Sequence, residues 1–312
     1  MIKEWTEGGM AFQYEVKIKE NTVSILNWKD GPAKVALPDR IDGLPVTAIG
    51  RKAFLSNKRI MEIRLPAELS QVGEWAFAYC SRLQRIRLPK REILFEKGAF
   101  LQCENLEAMI MTEVSEMESG GDAVMREPQQ CDRLLAATAC KLDAPYLLDV
   151  LAAGTPSWMQ QWDARLVELI ERPDRDGYAQ TLLCGEEDYE GRDNDLNYFL
   201  NQKRRAKVRL CMLRLINDMG LSAARREWLE KYLKNHTKGC ASEEAWEVVR
   251  DEHGQEPQYF DLLLECGGVE EQNFDALLAD TGNELAELKA HMLRRKEELF
   301  GDRDFFDSLS LD

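Results

Sequence analysis

The residue types that most often carry catalysis or bind metals are sparse in this sequence. The three histidines, His236, His253 and His291, occur in no H-E-x-x-H or H-x-H pattern, and none lies beside paired cysteines. Zinc sites need such closely spaced ligands. The histidines therefore predict no metal site, and we interpret His236 and His253 as helix-end residues. The sequence also lacks the G-x-G-x-x-G, G-x-x-x-x-G-K-[ST] and G-x-S-x-G motifs. We expect no enzyme activity and no cofactor.

Other reactive or charged residues favour structural interpretations. Eight cysteines are spread along the chain without a C-x-x-C pair, and we interpret them as buried free thiols of a reducing compartment. The acidic runs 185–190 and 192–195 lack the spacing of a calcium loop, so we expect solvated loops there. The basic cluster 203–207 could contact phosphate, but we expect it to balance neighbouring acidic residues.

A repeat with a step of 23 residues dominates the first third of the chain. Segments 49–54, 72–77 and 95–100 align without a gap, each ending in Ala-Phe. Segments 60–65 and 83–88 alternate apolar and polar residues with period two, as half-buried strands do, and a proline follows each. One such unit cannot bury its own apolar side, so the repeat predicts a solenoid of stacked coils.

These columns resemble the BspA-like leucine-rich-repeat family of bacteria, whose unit reads I-G-x-x-A-F, a short link, then L-x-x-I-x-L-P. Residues 72–89 match this unit almost throughout. The resemblance covers about residues 10–112, including a hairpin over 12–25 that opens the array. It implies a leucine-rich-repeat fold and a binding role, since members of the family include surface adhesins.

Beyond residue 130 the apolar period changes to 3.6, which indicates helices. The predicted fold class is α+β: a short leucine-rich-repeat solenoid, with a hairpin cap and about three repeats, followed by an all-α helical-hairpin domain, ankyrin-like or otherwise. The predicted boundaries are 1–112 for the repeat domain, 113–130 for a linker and 131–312 for an acidic helical domain. The final coil, 108–111, is apolar on both faces, so we expect the following domain to cap it.

The outward strand face is the candidate binding surface. If Ile63, Leu65, Ile86 and Leu88 point inward, the side chains between them point outward. The candidate binding residues on this face are Lys34, Glu62, Arg64, Arg85, Arg87 and Ile110. Three interpretations stay open: a site for an acidic or carboxylate-bearing partner, a solvated strand face, or pairing of the arginines with the chain's own acidic half.

The net charge of the chain argues against some classes of binding partner. Residues 1–112 hold 17 Lys and Arg against 14 Asp and Glu, a net charge of +3, and the rest holds 24 against 42, a net charge of −18. An acidic molecule repels nucleic acid and anionic lipid. No run approaches the roughly 18 to 20 apolar residues of a membrane helix. The amino end shows no secretory signal, so we expect a cytoplasmic location if the start is native.

The sequence thus predicts a non-enzymatic bacterial interaction module that binds a protein or peptide. An acidic partner would suit the basic strand face, whereas nucleic acid is not expected. The alternative is a cell-surface or secreted adhesion protein whose leader is missing from this chain. A third possibility is an enzyme with its site in the helical half.

Overall fold

The computed structural model of this protein describes residues 2–118, 126–179 and 196–300. The strands are β1 (Ile2–Glu7), β2 (Met10–Lys17), β3 (Thr22–Asp30), β4 (Lys34–Ala36), β5 (Arg40–Ile41), β6 (Leu44–Ile49), β7 (Glu62–Arg64), β8 (Gln71–Val72), β9 (Arg85–Pro89), β10 (Leu94–Phe95) and β11 (Ala108–Thr112). The helices of the described residues are α1 (Val114–Glu118), α2 (Gln130–Cys140), α3 (Pro156–Glu171), α4 (Leu196–Ile216), α5 (Ala223–Asn235), α6 (Glu244–Glu252), α7 (Pro257–Glu265), α8 (Glu271–Asp280) and α9 (Ala286–Phe300), with a 3-10 turn at Pro145–Leu147.

Two sheets form the solenoid. The first has the order β1-β2-β3-β6-β8-β10, with β5 paired to β6. Its antiparallel strands β2 and β3 are the hairpin predicted over residues 12–25, and a further antiparallel strand, β1, precedes them. The second has the order β11-β9-β7-β4 and is parallel throughout. Strand pairing follows the 23-residue step, since Glu62 pairs with Arg85 and Arg85 with Ala108. The solenoid predicted from the repeat is therefore confirmed.

The turns of the repeat also obey the 23-residue step. Left-handed backbone occurs at Lys52, Trp75 and Gly98, with φ of 60°, 55° and 66°. A second left-handed column has φ of 58°, 60° and 56° at Ser56, Tyr79 and Gln102. Backbone hydrogen bonds join the turns of successive coils, for example from Phe54 N to Ala76 O at 2.7 Å and from Phe77 N to Ala99 O at 2.8 Å.

An aromatic ladder runs through the interior of the solenoid. Neighbouring ring centroids along it lie 6.1, 6.0, 5.2, 4.8 and 5.5 Å apart. Its six rings, in order, are those of Trp5, Phe12, Trp28, Phe54, Phe77 and Phe100. The predicted Phe column is thus continued by β1, β2 and β3, which supply one ring each and bury the open start of the array.

The open end of the second sheet has the cap that its apolar sequence predicts. Helix α2 packs against β11, and Met109 and Ile110 of β11 are fully buried. The apolar residues on both faces of the last strand are thereby removed from water, which is the main free-energy gain that a cap provides.

The chain divides into two compact units, which we describe separately. The first comprises Met1–Leu166 with Asn217–Gly220, and the second Val167–Ile216 with Leu221–Asp312. This division comes later than the predicted linker 113–130, because α2 packs onto β11 and so joins the solenoid. The domain boundaries at 112 and 131 stay a prediction. The acidic runs 185–190 and 192–195 lie outside the described residues.

The second unit is helical in its described part. Helix α4 packs against α5, α6 and α7, and α9 packs against α7 and α8. Its core holds Trp246, Phe260 and Phe274, whose rings meet edge to face.

Candidate binding surface

The second sheet places the six predicted binding residues in two rows. Parallel pairing in register puts residues of equal repeat position side by side. The first row consists of Lys34, Glu62, Arg85 and Ala108. The second row consists of Ala36, Arg64, Arg87 and Ile110. The structure therefore brings the predicted residues together, but the two rows have different surroundings.

The first row remains accessible at its β4 end. The Lys34 ammonium lies 3.0 Å from Glu62 Oε1, and the Lys34 side chain is 75% exposed. Arg85 is half-buried, and its guanidinium has no hydrogen bond or ion pair with any residue that the structure describes. Arg82, three residues before Arg85, has one hydrogen bond with the described residues, from Nη2 to Met61 Sδ at 3.6 Å. Arg85 in this row and Arg82 before it therefore keep unused donors.

The second row is covered by the chain itself. Arg64 Nη2 donates to Asp39 Oδ2 and to the carbonyl oxygen of Met117, each at 2.8 Å. Its Nη1 donates to Leu37 O at 3.3 Å. Only 14% of the Arg64 side chain is exposed, and Met117 of α1 is buried. Helix α1 thus takes up donors of Arg64 that were expected to face a partner.

The expected exposure of Arg87 and Ile110 is not observed. Arg87 is 7% exposed and Ile110 is fully buried. The reason is the apolar outer face of β11, which makes covering by the following segment favourable. Burial lowers the pKa of Arg87, and the positive charges of Arg64 and Arg126 lower it further against the opposing charge of Glu116. Its Nε donates to Thr112 Oγ1 at 3.2 Å.

These contacts bear on the interpretation that the arginines pair with the chain's own acidic half. Arg64 does pair within the chain, but its carboxylate partner Asp39 comes from the first third. Asp39 also accepts from Ala67 N at 2.7 Å, which fixes its carboxylate. No repeat column marks Asp39 or Met117, so sequence reasoning missed both. Binding roles for Lys34, Glu62 and Arg85 stay predictions.

A serine, a histidine and a carboxylate meet in the second unit. His236 Nδ1 lies 3.1 Å from Glu244 Oε2 and also contacts Ser242 Oγ. A catalytic relay needs the serine nucleophile and the orienting carboxylate on opposite ring nitrogens of the histidine base, whereas both partners here contact Nδ1. The cluster instead joins α5 to α6, since His236 is the C-cap of α5. His253 is likewise the C-cap of α6, so the helix-end interpretation of both histidines is confirmed.

The basic cluster of α4 balances acidic residues, as predicted. Arg204 Nε lies 2.8 Å from Asp174 Oδ2, and Lys207 Nζ lies 2.6 Å from Asp174 Oδ1. Arg205 Nη2 lies 2.6 Å from Glu252 Oε1. Burial favours the neutral form of Asp174, but the hydrogen bonds from Arg204 and Lys207 outweigh burial and hold its pKa below the ordinary value. These donors are therefore engaged rather than offered to phosphate.

Among residues 2–118, 126–179 and 196–300, no three or more His, Cys, Asp or Glu side chains gather where they could hold a metal ion. Within the same ranges, no helix combines the length and apolarity that crossing a membrane requires.

Solved structures of bacterial leucine-rich repeat proteins match about a third of the chain. A crystal structure of a T. pallidum leucine rich repeat protein is 30% identical, with a TM-score of 0.32; the match covers 35% of this chain and 50% of that one. A leucine rich cell surface protein from Faecalibacterium prausnitzii A2-165 is 21% identical, with a TM-score of 0.30 and coverages of 36% and 32%. A leucine-rich repeat protein from Bacteroides capillosus is 21% identical, with a TM-score of 0.28 and coverages of 35% and 98%.

The chain thus spans half of the T. pallidum protein and about a third of the F. prausnitzii protein. No curated protein matches it. The family model described as BspA type leucine rich repeat region (6 copies) matches residues 38–122. The matched residues contain the strand pairs that follow the 23-residue step in both sheets. Residues 38–122 are a leucine-rich-repeat region of the BspA type.

Proposed function

We propose that this chain is a non-enzymatic protein- or peptide-binding module. The accessible part of the strand face, defined by Lys34, Glu62 and Arg85, would contact the partner. The observation that carries the proposal is Arg85, whose guanidinium has no partner among the described residues, whereas Arg64 on the same sheet donates through both Nη atoms. A half-buried guanidinium with free donors suits a partner that supplies acceptors.

The expected partner is an acidic or carboxylate-bearing segment. A guanidinium can hold a carboxylate through two parallel hydrogen bonds, which favours carboxylate over a neutral acceptor. Lys34 and Arg82, both exposed, add positive charge near Arg85. Because these groups are close to solvent, we expect salt to weaken the interaction. The coarser role of an interaction module fits the leucine-rich-repeat region.

Charge reversal tests this proposal. The full chain, R85E and K97E would each be used to recover partners from native lysate, with quantification by mass spectrometry. Lys97 is an exposed cation in the turn just before Gly98 and lies outside the strand face. K97E therefore controls for the change in net charge. We expect R85E to lose a partner that K97E retains. Equal recovery by all three proteins, or turnover in a metabolite screen without any partner, would contradict the proposal.

A second proposal is the cell-surface or secreted adhesion protein that the BspA-type region permits. The comparisons lend no support to the cytoplasmic location expected from the amino end. The genomic sequence upstream of the codon for residue 1 separates the two locations. A leader encoded there would favour adhesion, and a stop codon in frame would favour the cytoplasm.

A further inference from the structure

The first sheet ends at a strand edge with an unused backbone acceptor. Each coil of this sheet receives a hydrogen bond from the next: Gly73 N donates to Ile49 O at 2.8 Å, and Glu96 N donates to Val72 O at 2.9 Å. The equivalent acceptor one coil later is the carbonyl oxygen of Phe95. No residue that the structure describes donates to it. The hydrogen-bond ladder therefore ends at β10, where the Phe95 carbonyl oxygen has no donor among the described residues.

The two sheets of the solenoid end differently. At the end of the second sheet, Arg126 and Asp132 bond to the backbone oxygen and nitrogen of Met111 in β11. At the end of the first sheet, no comparable side chain among the described residues reaches the backbone of Phe95. A free edge of this kind is a template for another strand.

A groove lies beside this edge, within the first compact unit. Its volume is about 590 Å³, inside the range of about 300 to 1,000 Å³ typical of ligand sites. Arg91 and Leu94 line the strand side, and Leu148, Asp149 and Leu151 line the other. Leu94 is 60% exposed and Leu151 is 52% exposed. The groove therefore offers apolar side chains next to β10, since Leu94 lines it and the following residue, Phe95, carries the free backbone acceptor.

The repeat itself indicates what would fit beside β10. In the preceding coil, Val72 pairs with Phe95 and is fully buried. Phe95 occupies the same repeat position but is only half-buried, because no further coil covers it. An extended segment with an apolar residue at this position would cover Phe95, and the N–H that follows would donate to the Phe95 carbonyl. Leu94 occupies the repeat position that the polar Gln71 has in the preceding coil. The surface of β10 is therefore more apolar at this position than the surface of β8.

We propose that the edge of β10 binds an extended, apolar-centred peptide strand, which adds parallel to β10 in this groove. Addition of a strand to a sheet edge is an established mode of peptide recognition: backbone hydrogen bonds supply affinity and alternate side chains supply specificity. A helix could not extend the ladder, since its backbone N–H groups bond within the helix. This site uses none of the residues of the strand face, so a test of the site does not depend on the proposed function.

A synthetic peptide with the sequence of residues 69–75, Leu-Ser-Gln-Val-Gly-Glu-Trp, serves as the probe because it is the strand that precedes β10 in the array. Its fluorescein-labelled form would be titrated with the full chain by fluorescence anisotropy. We expect saturable binding that weakens at least about tenfold when the glycine is replaced by N-methylglycine, which removes the donor to Phe95. N-methylation of the valine, whose N–H faces the opposite side, is the matched peptide control.

Two protein variants test whether the peptide binds in the groove. L151D puts a charge into the groove, and L101D changes another exposed leucine, 44% exposed, outside the groove lining. We expect L151D alone to abolish peptide binding, with both variants melting like the parent chain. Absence of saturable binding by the parent up to about 1 mM peptide, or equal binding of the N-methylglycine peptide, would overturn the proposal. Self-association of the parent that L151D abolishes would assign the edge to a second copy and also overturn it.

Discussion

Arg126 and Asp132 together close the free edge of the last strand, β11. Arg126 Nη1 lies 2.5 Å from Asp132 Oδ2. Asp132 Oδ1 accepts from Met111 N at 3.2 Å, and Arg126 Nη2 donates to Met111 O at 3.0 Å. The ion pair therefore supplies both the acceptor and the donor that a further strand would supply. A sheet edge is blunted here by two side chains rather than by another coil.

We expect the Asp132 side chain to contribute strongly to the free energy of unfolding. Its side chain is fully buried, and it also accepts from Gln129 N at 2.7 Å at the start of α2. D132A removes the acceptor of Met111 N and of Gln129 N as well as the ion-pair partner of Arg126, which is 38% exposed. Because backbone donors left without an acceptor are costly, we expect D132A to lower the free energy of unfolding by about 3 kcal/mol. Urea unfolding followed by circular dichroism measures the change.

A matched control for D132A is E113A, since Glu113 pairs with Lys90 and both side chains of that pair are about half exposed, at 57% and 47%. Exposed pairs contribute about 1 kcal/mol or less. Similarly small losses for D132A and E113A would show that closure of the β11 edge adds little stability.

The indole ring of Trp75 makes Gly98 necessary. A Cβ on Gly98 would lie 2.5 Å from Trp75 Cδ1, and its φ is +66°. We expect G98A to destabilise by about 3 kcal/mol, of which about 1 kcal/mol reflects the left-handed backbone and the rest the steric clash. Thermal or urea unfolding of G98A in the parent and in a W75A background separates the two parts.

Gly43 provides the control for the backbone part. Its φ is +79°, but a Cβ there would meet nothing within 4 Å. G43A should therefore cost only about 1 kcal/mol, as should G98A in the W75A background. A full loss for G98A even without the Trp75 ring would contradict the steric explanation.

The repeat made the solenoid predictable because one number, the 23-residue step, determines register, turn conformation and core together. Phe54 and Phe77 stack since they share a repeat position, and Glu62 pairs with Arg85 for the same reason. Each column was visible in the sequence as a repeated residue type. The same regularity indicated which side chains of the strands point outward.

What covers those outward side chains could not be predicted. Helix α1 has five residues and lies in a segment whose composition indicated a linker. A helix this short carries no periodic signal, yet its Met117 carbonyl accepts from Arg64. The edge closure by Arg126 and Asp132 was equally hidden, because it depends on two residues outside the repeat. Contacts at the end of a repeat array involve residues outside the repeat, so no repeated residue type in the sequence indicates them.

Thiol reactivity tests the burial of the cysteines. Cys240 is exposed, whereas Cys140 and Cys266 are partly buried and burial raises the pKa of each thiol to about 12. Only the thiolate reacts with disulfide reagents. At pH 8 we expect C240S to lose one fast-reacting thiol in a DTNB assay of the folded chain, and C140S to lose none. A fast phase of equal size in both variants would contradict the assigned exposures.

The acidic residues that face α4 predict a pH dependence of stability. Burial favours the neutral form of Glu252, but hydrogen bonds from Arg209 and Arg205 outweigh burial and lower its pKa. A lowered folded-state pKa stabilises the folded protein above the unfolded value of about 4.3, and this stabilisation is lost as the pH falls through the folded-state pKa. We therefore expect the melting temperature of the parent to fall below about pH 4.3 more steeply than that of E252Q, which has no titrating group there. E287Q, at an exposed position of α9, should follow the parent at every pH. If E252Q and the parent lose stability in parallel between pH 7 and pH 3, the ion pairs of Glu252 contribute nothing to the acid sensitivity of the second unit.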